Sequence, residues 1–594
     1  MKRFFSVFLV MILVFSVIPA VELPAFAVEE TFDTENFKGL VLYTTADNIS
    51  VKLYEGNTDD APVMTPVYTE GKYAYYKVVA GGRYYYRARP ASGNSHYNIR
   101  KNIYISEEKA NMKVVLDVTP HVRSAAGWDT YETVACYSDE AMAAAFPSAA
   151  EMWPEYAHLL TTPVLTNPRN PHQQTTQTEM MDYIGGLNSA DDDMYVYILG
   201  KSGGRKASEY FDIPVVFFTK TDLSGAKTWE DAASLLRENG KLTFLYQAQI
   251  HGKETGAGEA AFAMLKHLDG DYGAGLLDNM NICVIPRLNS WGAYRSDRSV
   301  YTTEEIDANR DYMALTSAEV QLTVKLYNHL EPELFYDAHE CFVHPEYEQL
   351  GMHDVWSSVN FVPFTTQEFK NTALTLADKI FERAADNNLT YGWYNSSVNG
   401  YNTVMGTTNL HVRGSLVFLT ESQGILGGNQ QIERRIMAHV STVTGVLDYV
   451  NENTAAVQKV VDDQRADIIN RGRTYESSDV IVLETGYTVH PEQNINGKQV
   501  DTCSGEITDT VFTGKTYDVV KKSRPAPTAY VLPAGENWTA DVLALMDKQG
   551  ITYTYLPEGA TLPLQQYIGN TTTASLTEET TVSFPKGVEG SSDQ

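Results

Sequence analysis

The stretch that decides the fold is LTFLYQAQIHGKETGAGEAA, residues 242–261. Its first nine residues are mostly apolar and predict a buried strand, and the small residues at its end predict the start of a helix. His251 and Glu254 lie at the junction, where Gly252 permits a tight turn. A histidine and a carboxylate at such a junction can bind one metal ion, although this spacing alone is a weak signal.

Strands and helices alternate on both sides of this stretch, from about residue 125 to about residue 470. This alternation is typical of an α/β domain with a largely buried sheet. Residues 430–470 also predict helix, and their polar side chains lead us to expect that this segment packs on the outside of the domain. The other apolar runs that predict strands are 194–199, 213–218, 281–286, 334–339 and 415–420, and the runs that predict helices are 254–268, 317–330 and 372–386.

The segments that flank the α/β domain have different patterns. Residues 38–118 contain short alternating runs and many tyrosines, which predict a β-sandwich-like module whose aromatic side chains fill its core, with glycan or cell-wall binding as the alternative. Strands return after residue 473 and predict a small α/β or β-rich accessory region. The predicted divisions of the chain are therefore residues 1–27, 28–120, 121–473 and 474–594.

The N-terminal segment has the features of a secretory signal. Lys2 and Arg3 precede an apolar run that ends at Ile18, and residues 25–27 (Ala-Phe-Ala) form a small-x-small cleavage site. We therefore expect residues 1–27 to be removed and the mature protein to be exported, without membrane insertion after cleavage. A basic start and a long apolar run fit a bacterial signal, so we expect a bacterial protein that is secreted or associated with the cell wall.

The composition excludes several classes of function. The chain has 46 Lys+Arg against 75 Asp+Glu, a net charge of −29. Such a chain cannot readily neutralise phosphates, so we expect no nucleic-acid partner. It has only four cysteines, which excludes a disulfide-rich scaffold and a Cys-rich zinc site. A metal site in this chain would therefore have to use histidine and carboxylate ligands.

Two common hydrolase motifs are matched only in part. Residues 200–204 (GKSGG) have the form G-x-S-x-G, but the residues after them look extended, so we expect a hairpin-type turn and not a serine nucleophile. His339 and Glu340 begin a sequence similar to H-E-x-x-H, but the second histidine, His344, is one residue too far away. Imidazoles at this spacing do not share one face of a helix.

Side chains suited to catalysis end two other predicted strands. His339 ends one apolar strand and Glu421 ends another, and sites in open α/β sheets gather at the carboxyl ends of strands. A carboxylate there can be a general base beside a metal site, or an ordinary solvated strand end. Between these strands, Asn309 and Arg310 form either a clamp for a carboxylate, to which arginine offers a planar fork, or a surface loop.

Taken in order, HGKE at 251–254, DANR at 307–310, His339 and Glu421 resemble the zinc carboxypeptidase family, the carboxypeptidase A-like metallopeptidases, over about residues 175–450. The resemblance implies that the α/β division is a mixed-sheet, zinc carboxypeptidase-like catalytic domain. It also implies one Zn²⁺ per chain, bound by His251, Glu254 and His339. Three such ligands leave a fourth position for water, which is the pattern of a catalytic zinc site.

The resemblance implies roles for four further residues. Asp307 would orient the first zinc-binding histidine. Glu421 would be the general base of the reaction. Asn309 and Arg310 would bind the C-terminal carboxylate of the substrate.

Other roles have more than one candidate. The arginine that would stabilise the oxyanion is Arg298 or Arg295, with Arg298 preferred. The tyrosine that would contact substrate is Tyr401 or Tyr394, with Tyr401 preferred. The residue that reads the terminal side chain of the substrate is expected between about 400 and 415. Cys341 follows the third ligand, and we expect it to be buried and inert.

The expected function is that of a secreted, zinc-dependent metallocarboxypeptidase that cuts a peptide bond near a free C-terminus. One alternative keeps the same site and changes the substrate to peptidoglycan stem peptides or another amide. A second alternative is a non-catalytic binding protein of the cell surface. That alternative predicts a missing zinc ligand or a missing base, and neither is missing from the sequence.

Overall fold

The computed structural model of the chain describes residues 32 to 589, apart from residues 45–48, 57–60, 91–98, 108, 119–122, 125–126, 129–148, 168–172, 189–192, 343–353, 360, 395–401, 425–428, 430, 475, 477, 501–506, 528, 534–535, 557–566, 570–571, 578–579 and 585–586. The predicted signal segment and His344 lie outside the described residues. Among the helices that are described, none is long and apolar enough to cross a bilayer.

The N-terminal part of the chain forms small sheets. Its strands are β1 Gly39–Tyr43, β2 Ile49–Glu55, β3 Tyr68–Glu70, β4 Tyr73–Tyr76, β5 Gly82–Pro90, β6 Ile99–Ile105, β7 Lys113–Asp117, β8 Arg123–Ser124 and β9 Gly127–Trp128, with a 3-10 helix at Lys109–Asn111. One sheet has the order β3-β4-β1-β7 and another the order β2-β5-β6, while β8 pairs with β9. Tyr76, Tyr84 and Tyr86 are buried in the apolar core that the two larger sheets share.

The α/β domain follows. Its strands are β10 Met194–Lys201, β11 Asp212–Phe218, β12 Leu242–Ala248, β13 Met280–Ile285, β14 Val300–Tyr301, β15 Glu305–Ile306, β16 Leu334–Phe342, β17 Val355–Val359, β18 Tyr391–Trp393 and β19 Leu416–Gly424. Its helices are α1 Ala149–Met152, α2 Pro163–Thr166, α3 Gln177–Asn188, α4 Trp229–Glu238, α5 Thr255–Leu268, α6 Asp271–Leu276, α7 Ser290–Arg295, α8 Ala318–Leu330, α9 Gln367–Asp386, α10 Gly406–His411, α11 Ile432–Glu452 and α12 Thr454–Arg473. Further 3-10 helices are Pro154–Tyr156, Ala207–Glu209 and Ala308–Arg310.

Eight strands of this domain form one mixed sheet, in the order β10-β11-β13-β12-β16-β19-β17-β18. The central strands β13, β12, β16 and β19 are parallel to one another, and β11 and β17 pair with this group in the antiparallel direction. Helices α5, α9 and α11 contribute to the core on one face, and α4 and α8 contribute to the core on the other. Every residue of β12 is buried, as expected for a strand covered on both faces. The predicted α/β class with a large mixed sheet is confirmed.

Two predicted strand ends are wrong. Strand β16 continues past His339 to Phe342, and β19 continues past Glu421 to Gly424. His339 and Glu421 therefore lie side by side within paired parallel strands, and the next pair in register is Glu340 with Ser422. The pairing of the strands continues through these next polar residues, which are also buried. In a sequence, by contrast, polar residues after an apolar run indicate the end of a strand.

The prediction that residues 430–470 pack on the outside is wrong for α11. Arg434, Arg435 and His439 are buried in this helix together with its apolar residues. These polar groups can be buried because each has a hydrogen-bonding partner inside the domain. The following helix, α12, buries only a few of its side chains.

The C-terminal region begins with a long antiparallel pair, β20 Val480–Val500 and β21 Ile507–Pro525. Helix α13 Thr539–Gln549 and the short strands β22 Tyr567–Gly569, β23 Thr572–Thr577, β24 Thr580–Phe584 and β25 Gly587–Glu589 complete it. The side-chain amide of Gln549 donates to the backbone carbonyl of Tyr312 at 2.8 Å. Helix α13 therefore packs against the α/β domain.

Candidate metal centre

Two histidines and one glutamate converge between β12 and β16. Glu254 Oε1 lies 2.6 Å from His251 Nδ1, and Glu254 Oε2 lies 3.1 Å from His339 Nδ1. The two Nδ1 atoms are 3.3 Å apart, and all three side chains are buried. The structure thus brings the three predicted ligands together as one group that could hold a metal ion.

The turn between β12 and α5 explains how two of these side chains meet. The amide of Glu254 donates to the carbonyl of His251 at 3.1 Å, which closes a tight turn. Gly252 lies against the backbone of α7, and a Cβ atom at this position would be 2.0 Å from the carbonyl carbon of Gly292. Because only glycine permits this approach, the sequence HGKE can direct its first and last side chains to one point.

Each histidine has a carboxylate beside its other ring nitrogen. His251 Nε2 lies 3.1 Å from Asp307 Oδ1, and His339 Nε2 lies 3.0 Å from Asp337 Oδ2. In His251, a proton on the Nε2 that is hydrogen-bonded to Asp307 leaves the lone pair of Nδ1 directed at the other ligands. Two such nitrogens and one carboxylate are the donors that zinc takes in catalytic sites, so the residues present fit one zinc ion.

The carboxylates of the cluster are held in their ionised form. Burial acts to raise the pKa of Glu254, but His251 and His339 hold this pKa below its ordinary value. Burial likewise opposes ionisation of Asp307, but His251 and then Arg298 hold the pKa of this carboxyl well below its ordinary value. Negative charge at these positions favours a bound cation.

The structure distinguishes between the two candidate arginines. Arg298 donates to Asp307 Oδ2 through Nε at 3.0 Å and through Nη2 at 2.8 Å. Its Nη1 lies 3.2 Å from His251 Nδ1, and its side chain is one-third exposed. The guanidinium of Arg295 instead lies over the ring of Trp291, 5.1 Å from the ring centroid. Arg298 therefore reaches the metal centre with part of its guanidinium open to solvent.

Asn309 is buried beside the third ligand. Its Nδ2 lies 3.5 Å from His339 Nε2, and its Oδ1 accepts a hydrogen bond from the amide of Gly406 at 2.9 Å. The next residue, Arg310, donates to the Asn309 carbonyl at 3.0 Å and lies 3.9 Å from Asp307. Both residues of the predicted carboxylate clamp thus border the metal centre, and Asn309 also supports the start of α10.

Of the two candidate tyrosines, Tyr394 lies within the described residues. Tyr401, the preferred one, lies outside the described residues. The ring of Tyr394 lies 6.2 Å from that of Trp356, at the β17–β18 edge of the sheet. In the segment expected to read the substrate side chain, Thr407, Thr408 and His411 are buried in α10.

Glu421 lies next to His339 in the paired strands and is buried. Its Oε2 atom has no hydrogen-bond partner among the described residues. Burial, together with nearby Glu254, raises the pKa of Glu421 to about 8, although His339 and Arg298 act to lower it. A raised pKa lets a carboxyl group hold a proton taken from water, and a cation bound beside it would favour the ionised form that accepts this proton.

Sequence reasoning missed several residues of the site. Asp337 contacts His339. Its position two residues before His339 in the same strand could have indicated this contact, because alternate residues of a strand share a face. Nε2 of His439 donates to the backbone carbonyl of His339 at 3.0 Å. Glu340 forms a buried ion pair with Arg435 of α11. Arg435 and His439 are four residues apart on a helix that the sequence suggested was external. No signal in the sequence therefore connected these two residues with the site.

Two other predictions concern residues that take no part in the cluster. Ser202 Oγ accepts the amide of Phe211 in the turn between β10 and β11, which agrees with the expected turn and gives no nucleophile elbow. Cys341 is half-buried, so the prediction that it is buried is wrong. It lies two residues after His339 in β16 and is therefore on the same face of the sheet as that ligand, opposite to the fully buried Glu340. Burial raises the pKa of its thiol well above the ordinary value, so it remains protonated.

Known proteins are similar to this chain over part of its length. No family model matches the chain. The chain is 22% identical over 346 residues to "Carboxypeptidase 2" of Trichophyton equinum and 21% identical over 350 residues to "Carboxypeptidase 2" of Trichophyton rubrum. Each match covers 55% of this chain, which spans 62% of the length of each relative.

Two solved structures that match the chain at low similarity are named metallo-carboxypeptidases. A metallo-carboxypeptidase from Burkholderia cenocepacia is 16% identical, with a TM-score of 0.36, and covers 46% of this chain and 69% of its own. A metallo-carboxypeptidase from Pseudomonas aeruginosa is 14% identical, with a TM-score of 0.33, and covers 46% of this chain and 69% of its own. The chain is thus similar in sequence to proteins named carboxypeptidase. The resemblance that the motifs indicate is confirmed.

Proposed function

We propose that the protein is a zinc-dependent metallocarboxypeptidase that hydrolyses a peptide bond near a free C-terminus. The observation that carries the proposal is the convergence of His251, Glu254 and His339, each histidine backed by a carboxylate on its other nitrogen. Zinc in such a site supplies Lewis-acid chemistry, polarising a carbonyl group and lowering the pKa of water.

The chain's own residues supply the remaining functions. Glu421 takes a proton from the attacking water and returns it to the leaving nitrogen, for which its raised pKa is suited. The partly exposed guanidinium of Arg298 donates to the oxygen on which negative charge develops. Arg310 and Asn309 bind the C-terminal carboxylate of the substrate and so select the terminal bond. Tyr401 is proposed to contact the substrate.

The test measures metal content and release of C-terminal residues by the same purified protein. We expect one zinc per chain and release from peptides with a free C-terminus but not from amidated ones. Glu421→Gln should keep its zinc and lose turnover, while Glu319→Gln, which changes a buried glutamate outside the site, should keep both. Normal turnover by Glu421→Gln would disprove the role of the base, and equal cleavage of amidated peptides would disprove the exopeptidase.

The substrate could also be a peptidoglycan stem peptide or another amide, since the same residues would serve. Among the N-terminal tyrosines, Tyr76, Tyr84 and Tyr86 are buried and offer no surface for wall binding. Digesting purified peptidoglycan and a blocked dipeptide side by side, with detection by mass, separates these substrates. A non-catalytic binding protein would show neither zinc nor turnover in these assays.

We also propose that the mature protein acts outside the cell after loss of residues 1–27. The support is the basic, apolar and small-x-small pattern of the N-terminal sequence. Sequencing the N-terminus of protein recovered from the medium or wall fraction of a bacterial host tests this. A mature chain beginning at Val28 is expected, and an uncleaved chain retained in the cell would contradict the proposal.

A further inference from the structure

Glu340 follows the third metal ligand but faces the opposite side of the sheet, because successive side chains of a strand alternate. There it meets Arg435 of α11 in a two-pronged ion pair. Arg435 Nε donates to Glu340 Oε1 at 2.8 Å, and Arg435 Nη2 donates to Oε2 at 2.7 Å. Neither side chain is exposed to more than 1%. We call this ion pair the Glu340–Arg435 clamp.

The same carboxylate accepts two more hydrogen bonds, and both come from residues beside the metal centre. The amide of Gly256, two residues after Glu254, donates to Glu340 Oε2 at 2.9 Å. The hydroxyl of Ser422, the residue after Glu421, donates to Oε1 at 3.0 Å. One carboxylate therefore connects β16, the start of α5 and β19.

The sequence at the start of α5 makes room for this contact. A Cβ atom at Gly256 would lie 2.2 Å from Glu340 Oε1 and 3.0 Å from Arg435 Cβ. A side chain at this position would therefore push the carboxylate away from the helix. The glycine lets the backbone amide approach the clamp directly.

A buried ion pair contributes little to stability, because removing two charges from water costs about as much as their attraction returns. Stability therefore does not explain why the Glu340–Arg435 clamp lies next to the metal centre. We propose that Glu340, held by Arg435, is a positioning residue that fixes Glu254, His339 and Glu421 relative to one another. This inference rests on the proposed function for the roles of those three residues.

Helix α11 offers a matched control. Arg434, the neighbour of Arg435, forms an ion pair with Asp354 that is also buried, with side chains 5% and 1% exposed. Arg434 Nη2 donates to Asp354 Oδ2 at 2.7 Å, and the same oxygen accepts the amide of Thr390 at 2.7 Å. This second ion pair has the same chemistry but connects α11 to the β17–β18 edge rather than to the metal centre.

The experiment replaces each ion pair with apolar residues of similar size, a change that often preserves folding. One variant carries Glu340→Met with Arg435→Met, and the control carries Asp354→Leu with Arg434→Met. The measurements are thermal unfolding, zinc affinity by competition with a chelator, and kcat and KM for C-terminal residue release.

We expect the clamp variant to bind zinc about 10–100-fold more weakly and to lose kcat more than KM, whereas the control keeps wild-type values. A third variant, Ser422→Ala, removes only the link to β19 and should lower kcat without changing zinc affinity. It serves as the test if the clamp variant does not fold. Wild-type zinc affinity and kcat in the clamp variant, an equal loss in the control, or wild-type kcat in Ser422→Ala would overturn the inference.

Failure of the proposed function gives a different result. A wild-type protein that binds zinc but releases no C-terminal residue would disprove the carboxypeptidase alone, since the zinc affinity of the variants still tests the clamp. A wild-type protein that binds no zinc would disprove both.

Discussion

Two carboxylates in different regions of the α/β domain, both largely withdrawn from solvent, have opposite surroundings. In the metal centre, Asp307 lies against His251 and Arg298, and its pKa is held well below the ordinary value. At the start of α8, Glu319 is fully buried; it accepts a hydrogen bond from the amide of Gly203, at 2.8 Å, and its Oε2 has no partner among the described residues. Burial raises the pKa of Glu319 to about 7.

The difference shows that burial alone does not build a charged site. A carboxylate removed from water keeps its charge only where cations or donors compensate for the lost hydration. The metal centre provides these partners to Glu254 and Asp307, so these two carboxylates are charged at neutral pH and favour a bound cation. Glu319 lacks such partners, so its charged and protonated forms are both populated near neutral pH.

Removing a ligand should give the largest effect and separates the two regions most clearly. We expect His339→Ala to bind no zinc at wild-type concentrations and to lose about 10³-fold or more in kcat/KM, since Lewis-acid stabilisation is worth several kcal/mol. Glu319→Gln should change neither quantity. Metal analysis and C-terminal residue release check both variants, and retention of zinc by His339→Ala would remove this residue from the ligand set.

The next effect concerns a carboxylate that touches a ligand but does not bind the metal. Asp307→Asn removes the charge beside His251 Nε2, so we expect zinc affinity to fall about 10–100-fold. The matched change is Asp311→Asn, because Asp311 is also buried but bonds the amides of Thr316 and Ser317 at the start of α8. Asp311→Asn should lower the unfolding temperature and leave zinc affinity unchanged. Equal affinity losses in a chelator competition would contradict a specific role for Asp307.

The sequence predicted most of the fold because its strands are long apolar runs, which leave little ambiguity. His251 and Glu254 could be predicted because their spacing at a strand–helix junction, a weak signal alone, occurs in order with the other motifs of the resemblance. Asp337 and Glu340 were harder to predict. No motif marks either residue, and the importance of Glu340 depends on a partner far away in the chain, Arg435.

The sequence also does not decide whether Arg295 or Arg298 reaches the metal centre. Helix α7 ends at Arg295, and Ser296 adopts a left-handed conformation with φ of 52° that reverses the chain. The side-chain amide of Asn289 then binds the carbonyl of Arg298 at 3.2 Å, and this arrangement returns Arg298 to Asp307. A single turn thus decides which arginine reaches the site, and the sequence does not show where that turn ends.

The smallest effect concerns the pH dependence of stability and tests the Glu319 region directly. The unfolded carboxyl has an ordinary pKa of 4.5, and burial raises the folded value to about 7. Between these values the folded protein holds a proton that the unfolded chain has released, so this group makes stability fall as pH rises through the window. From about pH 6 to about pH 8 the loss should be about 1 kcal/mol in the free energy of unfolding.

Glu319→Gln mimics the protonated carboxyl at every pH and should remove this loss. The contribution of Asp307 has the opposite sign, because its folded pKa is lowered, but it belongs to more acidic pH and is common to both proteins. Denaturant unfolding of wild type and variant at the two pH values therefore isolates Glu319. If both proteins lose the same stability over this interval, Glu319 is ionised despite its burial, and the contrast between the two regions does not hold.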